Sequence, residues 1–387
     1  MSEFRIGIIG LGGMGSSHAG YLRRGDVPGT RLTAVADTAG ERLDFAADRY
    51  GDDVARFDNH ADLLASGLVD GVVIATPHYF HPPIAIDAFK AGLHVLSEKP
   101  TGVYTKQVRE MNEAAAASGR TFGVMFNQRT VRAHQKLRDL VASGEIGEIR
   151  RTVYVINNWL RAQSYYDSGG WRATWAGEGG GVLMNQCPHN LDLWQWWVGM
   201  PQRVRAFISF GKYHDIEVDD DVTAYVEYAN GATGVFLTST GECPGTNRIE
   251  IHADRGKVVM EGGQITFWRT VKSVSDFVAT YPGGFGEPEV WRCEIPVRGG
   301  GGDHAEITRN WVSAATKGTP LLAPGVEGLN TVQLNNAMLL SAWTDGWVDL
   351  PVDEDQYESA LREKIAGSTA SKGEGGKTMD VSGTFNM

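Results

Sequence analysis

Through the first third of the chain, short apolar runs alternate with stretches of helical period. Residues 4–9, 31–37, 71–75, 94–97 and 121–126 read as strands, and residues 39–50, 61–66 and 105–117 as helices, with Pro82 and Pro83 suited to the first turn of another. Uniformly apolar runs such as Val72–Val73–Ile74 fit strands buried on both faces, and the alternation with helices predicts a doubly wound parallel sheet. After a helix at 133–143 the period changes. Residues 151–156, 221–228, 234–239, 248–253 and 256–261 alternate apolar with polar positions, as antiparallel strands do, and Asn230–Gly231 is a hairpin turn signal. Helical patterns return at 306–315 and 329–342, and from about residue 368 the chain turns to Ser, Gly, Lys and Thr without period.

The expected fold class is α/β: an N-terminal doubly wound parallel sheet over 1–126, then an α/β domain with a large, mostly antiparallel open sheet over 127–367 that serves substrate binding and oligomerisation, then a flexible tail at 368–387. Composition narrows the function classes. The 36 basic and 47 acidic residues leave a net charge of −11 with no basic patch, which argues against nucleic acid or an anionic membrane as partner and for a small-molecule substrate. Cys187, Cys243 and Cys293 lack the paired spacing of a disulfide framework or a zinc site, so no metal is expected and the compartment reads as reducing. With no charged leader or long apolar span, the expected location is the cytoplasm.

Gly10–Leu11–Gly12–Gly13–Met14–Gly15 stands between a strand and a helix, where glycines let backbone N–H groups approach a pyrophosphate. Asp37 lies 22 residues beyond Gly15, at the end of the second strand, where a carboxylate accepts from ribose hydroxyls and repels a 2′-phosphate. This favours NAD over NADP, although Arg42 leaves NADP open. Glu98–Lys99–Pro100 then places a cation at the carboxyl mouth of the sheet, where open α/β folds meet their ligands.

A second concentration of chemistry follows Gly179–Gly180–Gly181. On the helix expected there, Asn185, His189 and Asp192 are spaced to share one face. Oxidising a secondary alcohol needs a group that takes the hydroxyl proton, a task suited to His189 with Lys99 on the same oxygen, while Asp192 orients the imidazole or binds another hydroxyl. Upstream, Asn157, Asn158, Trp159, Arg161, Tyr165, Tyr166, Asp167, Trp171, Arg172 and Trp175 interleave flat aromatic faces with polar groups, matching a pyranose or cyclitol. Trp194, Trp196 and Trp197 read as core or interface, and Asp219, Asp220 and Asp221 as a solvated turn rather than a cation site.

Taken together, the glycine fingerprint, Thr76–Pro77–His78–Tyr79–Phe80–His81, Glu98–Lys99–Pro100 and the glycine-led segment ending at His189 resemble, in order, the Gfo/Idh/MocA oxidoreductase family, in its sugar or glycoside dehydrogenase branch. That resemblance implies an N-terminal Rossmann domain, assembly into homodimers or homotetramers, and Lys99 and His189 as the catalytic pair. It implies that Thr76, Pro77 and His81 line the cofactor cleft, with Glu98, Asn127, Trp171 and Arg172 near the nicotinamide end. Many members carry Asp where this chain has Asn185; an amide is no general base, so Asn185 is expected to orient substrate hydroxyls beside Asn158, Tyr165, Tyr166 and Trp175. The expected function is NAD-dependent oxidation of a secondary ring hydroxyl of a sugar, glycoside or inositol by hydride transfer. The alternatives are a tightly bound NAD(P) that cycles between two sugars or prepares a glycoside for elimination, and a non-catalytic dinucleotide-binding sensor.

Overall fold

The structure, a computed structural model, describes residues 3–370. Its first sheet is built from β1 (Phe4–Ile9), β2 (Thr30–Ala36), β3 (Ala55–Phe57), β4 (Gly71–Ile74), β5 (His94–Ser97) and β6 (Phe122–Val124). All neighbours are parallel, in the order β3-β2-β1-β4-β5-β6. Ile6, Ile8, Val72, Val73, Ile74, Val95 and Leu96 are wholly buried, which is why these runs lack polar alternation. The strand order reverses between β1 and β4, opening a crevice at their carboxyl ends. The short β3 escaped the sequence reading, and the last strand is three residues rather than six because Phe126 leads into the 3-10 turn Asn127–Thr130.

The second sheet comprises β7 (Ile149–Ile156), β8 (Arg203–Phe210), β9 (Asp219–Glu227), β10 (Thr233–Ser239), β11 (Asn247–Ala253), β12 (Gly256–Glu261), β13 (Gln264–Thr270), β14 (Val290–Ile295) and β15 (Val348–Asp349). Its order is β14-β13-β12-β11-β7-β10-β9-β8-β15, antiparallel except for the pair β7–β10. Helices Pro188–Val198 and Gly328–Thr344 cover one face, where Trp194 stacks on Phe236 at 5.5 Å and donates to Thr152 at 3.1 Å. The other face leaves Phe207 and Tyr225 exposed.

Residues downstream of 126 also pack on the parallel sheet. The helix His304–Lys317 returns to the parallel sheet, and its buried Trp311 meets Phe4 edge-on at 5.5 Å. A Cβ on Gly71 would lie 2.8 Å from that indole and one on Gly123 3.2 Å, so two strand glycines make room for one tryptophan. The aspartate run is also not a solvated turn. Asp219 accepts from the amides of Gly181 (2.6 Å) and Leu183 (2.8 Å), and Asp220 from those of Lys212 (2.9 Å) and Tyr213 (2.8 Å), so both buried carboxylates satisfy backbone donors. Of the expected tail, Ser368 donates to Glu217 at 2.6 Å, and residues 371–387 lie outside the described residues. No helix among the described residues is long and apolar enough to cross a membrane.

Candidate active site

Beyond β1 the chain turns through Gly10, at φ 91°, into the helix Gly13–Arg23. A Cβ on Gly15 would fall 1.8 Å from the Gly10 carbonyl oxygen, and one on Gly10 2.7 Å from that of Ala75, so the turn closes only with glycine at both positions. A Cβ on Gly12 or Gly13 would meet nothing within 4 Å, and the N-cap Gly12 brings no side chain to the helix. The first amides, including that of Met14, are thus offered to an approaching anion. Asp37 accepts from the amides of Leu11 (2.6 Å) and Ala39 (2.9 Å), which holds its carboxylate against the glycine turn, and Arg42 pairs with it at 3.2 Å. Beyond β4 and β6, buried Thr76 Oγ1 and Asn127 Oδ1 have no hydrogen-bond partner among the described residues. A cradle of bare amides, a carboxylate at the second strand and orphaned acceptors further along the crevice fit a dinucleotide.

Lys99 follows β5, and its position is set from three sides. His81 is buried, and its ring nitrogens lie 2.7 Å from the carbonyls of Pro100 and Thr76, tying the Lys99–Pro100 turn to the end of β4 beside Pro77. Glu98 is buried with Oε1 2.7 Å from His18 Nε2, while His18 Nδ1 meets the Tyr21 hydroxyl, which meets Thr308, each at 2.7 Å. Burial pushes the Glu98 carboxyl up, but the His18 hydrogen bond and neighbouring charges prevail and hold it down to about 2. Finally, Lys99 Nζ donates to the Asn185 carbonyl at 2.9 Å, linking the parallel-sheet side to the glycine-led segment. Burial, only partly opposed by Glu98, lowers the Lys99 pKa below the ordinary lysine value.

The glycine-led segment is two helices rather than one. Val182–Asn185 ends at Gln186, and Pro188, which has no N–H to continue the first helix, opens Pro188–Val198. The expected stack of Asn185, His189 and Asp192 is therefore broken. His189 sits edge-on to Phe126, 6.4 Å between centroids, and its Nδ1 is buried without a hydrogen-bond partner among the described residues. Burial first and the Lys99 charge second lower its pKa well below the ordinary histidine range, so the imidazole is neutral at physiological pH. Asp192 is turned into the protein. It is wholly buried on Arg129, through Oδ2 to Nε at 2.8 Å and Oδ1 to Nη2 at 2.5 Å.

The aromatic stretch divides in the same way. Tyr165 meets both arginines, its ring centre lying 4.6 Å from the Arg172 guanidinium and 5.2 Å from that of Arg161 and its hydroxyl accepting from Arg172 at 2.8 Å and Gln186 at 3.0 Å. Trp171 packs on His78 at 5.3 Å and beneath Arg172 at 4.9 Å. Tyr166 and Trp175, by contrast, are core residues. Tyr166 donates to Thr240 at 2.8 Å, and Trp175 packs on Trp343 and Phe210. Asn158 packs where a Cβ on Gly245 would come within 2.3 Å of its Cα. Glu178 escaped the sequence reading although it directly precedes the three glycines: buried, it accepts from the Asn185 side-chain amide and from the Ala173 amide at 2.6 Å.

Residues 4–126 match the oxidoreductase family with an NAD-binding Rossmann fold, and residues 134–259 match the GFO/IDH/MocA C-terminal domain. The rhizopine catabolism protein MocA of Rhizobium meliloti is 30% identical over 251 residues, covering 63% of this chain and 74% of that protein. The chain belongs to the Gfo/Idh/MocA family. Inositol 2-dehydrogenase of Rubrobacter xylanophilus is 33% identical over 194 residues, a match that spans 50% of this chain and about half (52%) of that enzyme. Among solved structures, the WlbA dehydrogenase of Chromobacterium violaceum in complex with NADH and UDP-GlcNAcA superposes with a TM-score of 0.77 at 28% identity, covering 91% of this chain and 97% of that one. As a Gfo/Idh/MocA oxidoreductase the protein uses NAD, and the glycine turn with Asp37 is the part of its Rossmann fold suited to hold it.

Proposed function

We propose that the protein oxidises a secondary ring hydroxyl of a sugar, glycoside or inositol, with Lys99 and His189 handling the hydroxyl proton. One observation carries this reading. Lys99, from the parallel-sheet side, donates to the carbonyl of Asn185, four residues before His189, and its charge is among those that depress that imidazole, which supports a site used by amine and imidazole together. A lowered pKa makes the neutral amine accessible, and Lys99 Nζ takes the hydroxyl proton as the carbinol becomes a carbonyl. His189, neutral, hydrogen-bonds the same oxygen. Asn185, Tyr165, Trp171 and Arg172 orient the ring, an aromatic and polar lining suited to a polyol. NAD, when bound along Gly10–Gly15, Asp37, Thr76 and Asn127, supplies the two-electron acceptor.

Relatives that act on inositol and bind a nucleotide sugar support the substrate class. We further propose a cytoplasmic homodimer or homotetramer: the three cysteines are free, and the uncovered sheet face bearing Phe207 and Tyr225 suits a second copy. The test is a panel of inositols, free sugars and glycosides incubated with NAD and followed by NADH absorbance, alongside NADH-binding measurements. Tight NADH binding with no reduction of NAD by any member would overturn the dehydrogenase reading.

A further inference from the structure

Glu178 is buried to 1% exposure, so its carboxylate is closed off from solvent. It nevertheless ties together three parts of the site. Oε1 accepts from Asn185 Nδ2, Oε2 accepts from the Ala173 amide at 2.6 Å, and its main-chain carbonyl lies 3.1 Å from His78 Nδ1. Ala173 has a left-handed φ of 54° in the turn that carries Trp171 and Arg172, so the carboxylate pins an otherwise unfavourable turn. The Arg172 guanidinium stands 4.0 Å away.

A carboxylate only accepts hydrogen bonds, which fixes the amide of Asn185: its NH2 faces Glu178 and its oxygen faces away. Asn185 is half-buried, and its Oδ1 makes no hydrogen bond among the described residues, while its main-chain carbonyl holds Lys99. We propose that Glu178 is a positioning residue that locks Asn185 with its amide oxygen toward the substrate, giving the site a neutral hydroxyl acceptor beside Lys99. The inference rests on the polyol-dehydrogenase reading and adds a substrate requirement: a second hydroxyl next to the one oxidised, donating to Asn185. Such an acceptor aligns the ring without competing with Lys99 for the proton.

Protonated, Glu178 could donate instead of accept, letting the Asn185 amide turn over, and burial moves the carboxyl toward that state. The charged and titratable groups around it are Arg172, Lys99, Asp219, His78, Tyr165 and Tyr166. Three variants test the arrangement. Glu178→Gln can present an NH2 to Asn185, so KM for the polyol should rise about tenfold, with kcat falling less and NADH affinity and melting temperature near those of the unchanged protein. Asn185→Asp sets two carboxylates side by side, so kcat/KM should fall about tenfold and its acid limb move to higher pH. Joining the two changes replaces that repulsion by an amide donating to a carboxylate, and kcat/KM should recover to within about threefold of the starting protein.

An unchanged KM and pH profile in Glu178→Gln, or a double variant no better than Asn185→Asp, would overturn the proposal. If Glu178→Gln does not fold, the acid limb of Asn185→Asp decides: an unshifted limb counts against Glu178 as the neighbouring carboxylate. An unaltered protein that oxidises no polyol defeats the functional reading itself, a result distinct from any of these.

Discussion

Lys99 donates its side-chain hydrogen across the cleft to the main-chain carbonyl of Asn185, 2.9 Å away. One end of that bond follows β5 of the parallel sheet and the other ends the helix Val182–Asn185, so it aims the amine and joins the two halves of the site. Lys99→Met removes both the aim and the proton acceptor, and kcat/KM should fall about 10²–10⁴-fold, the range of a lost acid–base group. Lys99→Arg should not rescue it, since a guanidinium does not release its proton at workable pH. Steady-state rates beside NADH fluorescence titration check this. Dinucleotide affinity should stay within about threefold, because Lys99 lies outside the glycine turn, which is unaltered; turnover retained by Lys99→Arg would remove the amine from its assigned role.

The pH dependence follows from the direction in which burial moves each group. Alcohol oxidation needs Lys99 as neutral amine, and its pKa lies below the ordinary 10.5, so kcat/KM for oxidation should rise with pH through that lowered value. For reduction of the carbonyl product the same limb should run the opposite way, because the protonated amine is then the proton donor. His189, with a pKa well below 6.5, should add no limb between pH 6 and 8. Profiles in both directions with one polyol pair measure the two signs. Parallel limbs in the two directions would point to a stability effect instead of proton transfer.

Much of this site is local in the sequence, and that part was legible. The glycine turn lies within one strand–loop–helix unit, and Asp37 and Lys99 each follow a short apolar strand, so period and spacing place all three even though their side chains are held by distant partners. What failed depended on partners distant in the chain. The spacing of Asn185, His189 and Asp192 assumed an unbroken helix, and Pro188 sets a new one. Asp192 looked like a ligand because its partner, Arg129, stands 63 residues away. Tyr166 and Trp175 show that aromatic residues among polar ones describe a core edge as well as a sugar site, since composition is the same in both. The return of Trp311 to the parallel sheet leaves no local mark beyond strand glycines, and Glu178 resembles any acidic residue before a glycine run.

The Arg129–Asp192 pair separates scaffold from site. Both side chains are fully buried, Arg129 also meets the partly exposed Glu327 and lies 5.4 Å from the Phe126 ring, so removing Arg129 strands Asp192, and removing Asp192 takes from Arg129 its only fully buried counter-charge among the described residues. Asp192→Ala should cost about 3–5 kcal/mol of stability. Denaturant unfolding monitored by tryptophan fluorescence measures it. Below the melting transition the folded variant should keep its polyol KM within about threefold, because Asp192 is turned away from the cleft. A normal unfolding midpoint with a large rise in KM would return Asp192 to the substrate.

Asp37 sets cofactor choice through charge and through the turn at once. Its carboxylate accepts from Leu11 and Ala39 amides and neutralises part of Arg42, so a 2′-phosphate entering there would meet a fixed anion while the nearest guanidinium is already engaged. Asp37→Ala removes the repulsion and frees Arg42, and also leaves the Leu11 amide without its acceptor. NAD should therefore lose about 10–100-fold in kcat/KM, NADP should gain, and the ratio of the two should shift by at least about tenfold. Asp37→Asn keeps an acceptor for Leu11 but not the charge, so it should show most of the shift in preference with less loss toward NAD. Measuring kcat/KM for both cofactors at a saturating polyol separates the two contributions. Equal losses toward NAD and NADP in Asp37→Asn would mean that the carboxylate shapes the glycine turn and takes no part in choosing between the cofactors.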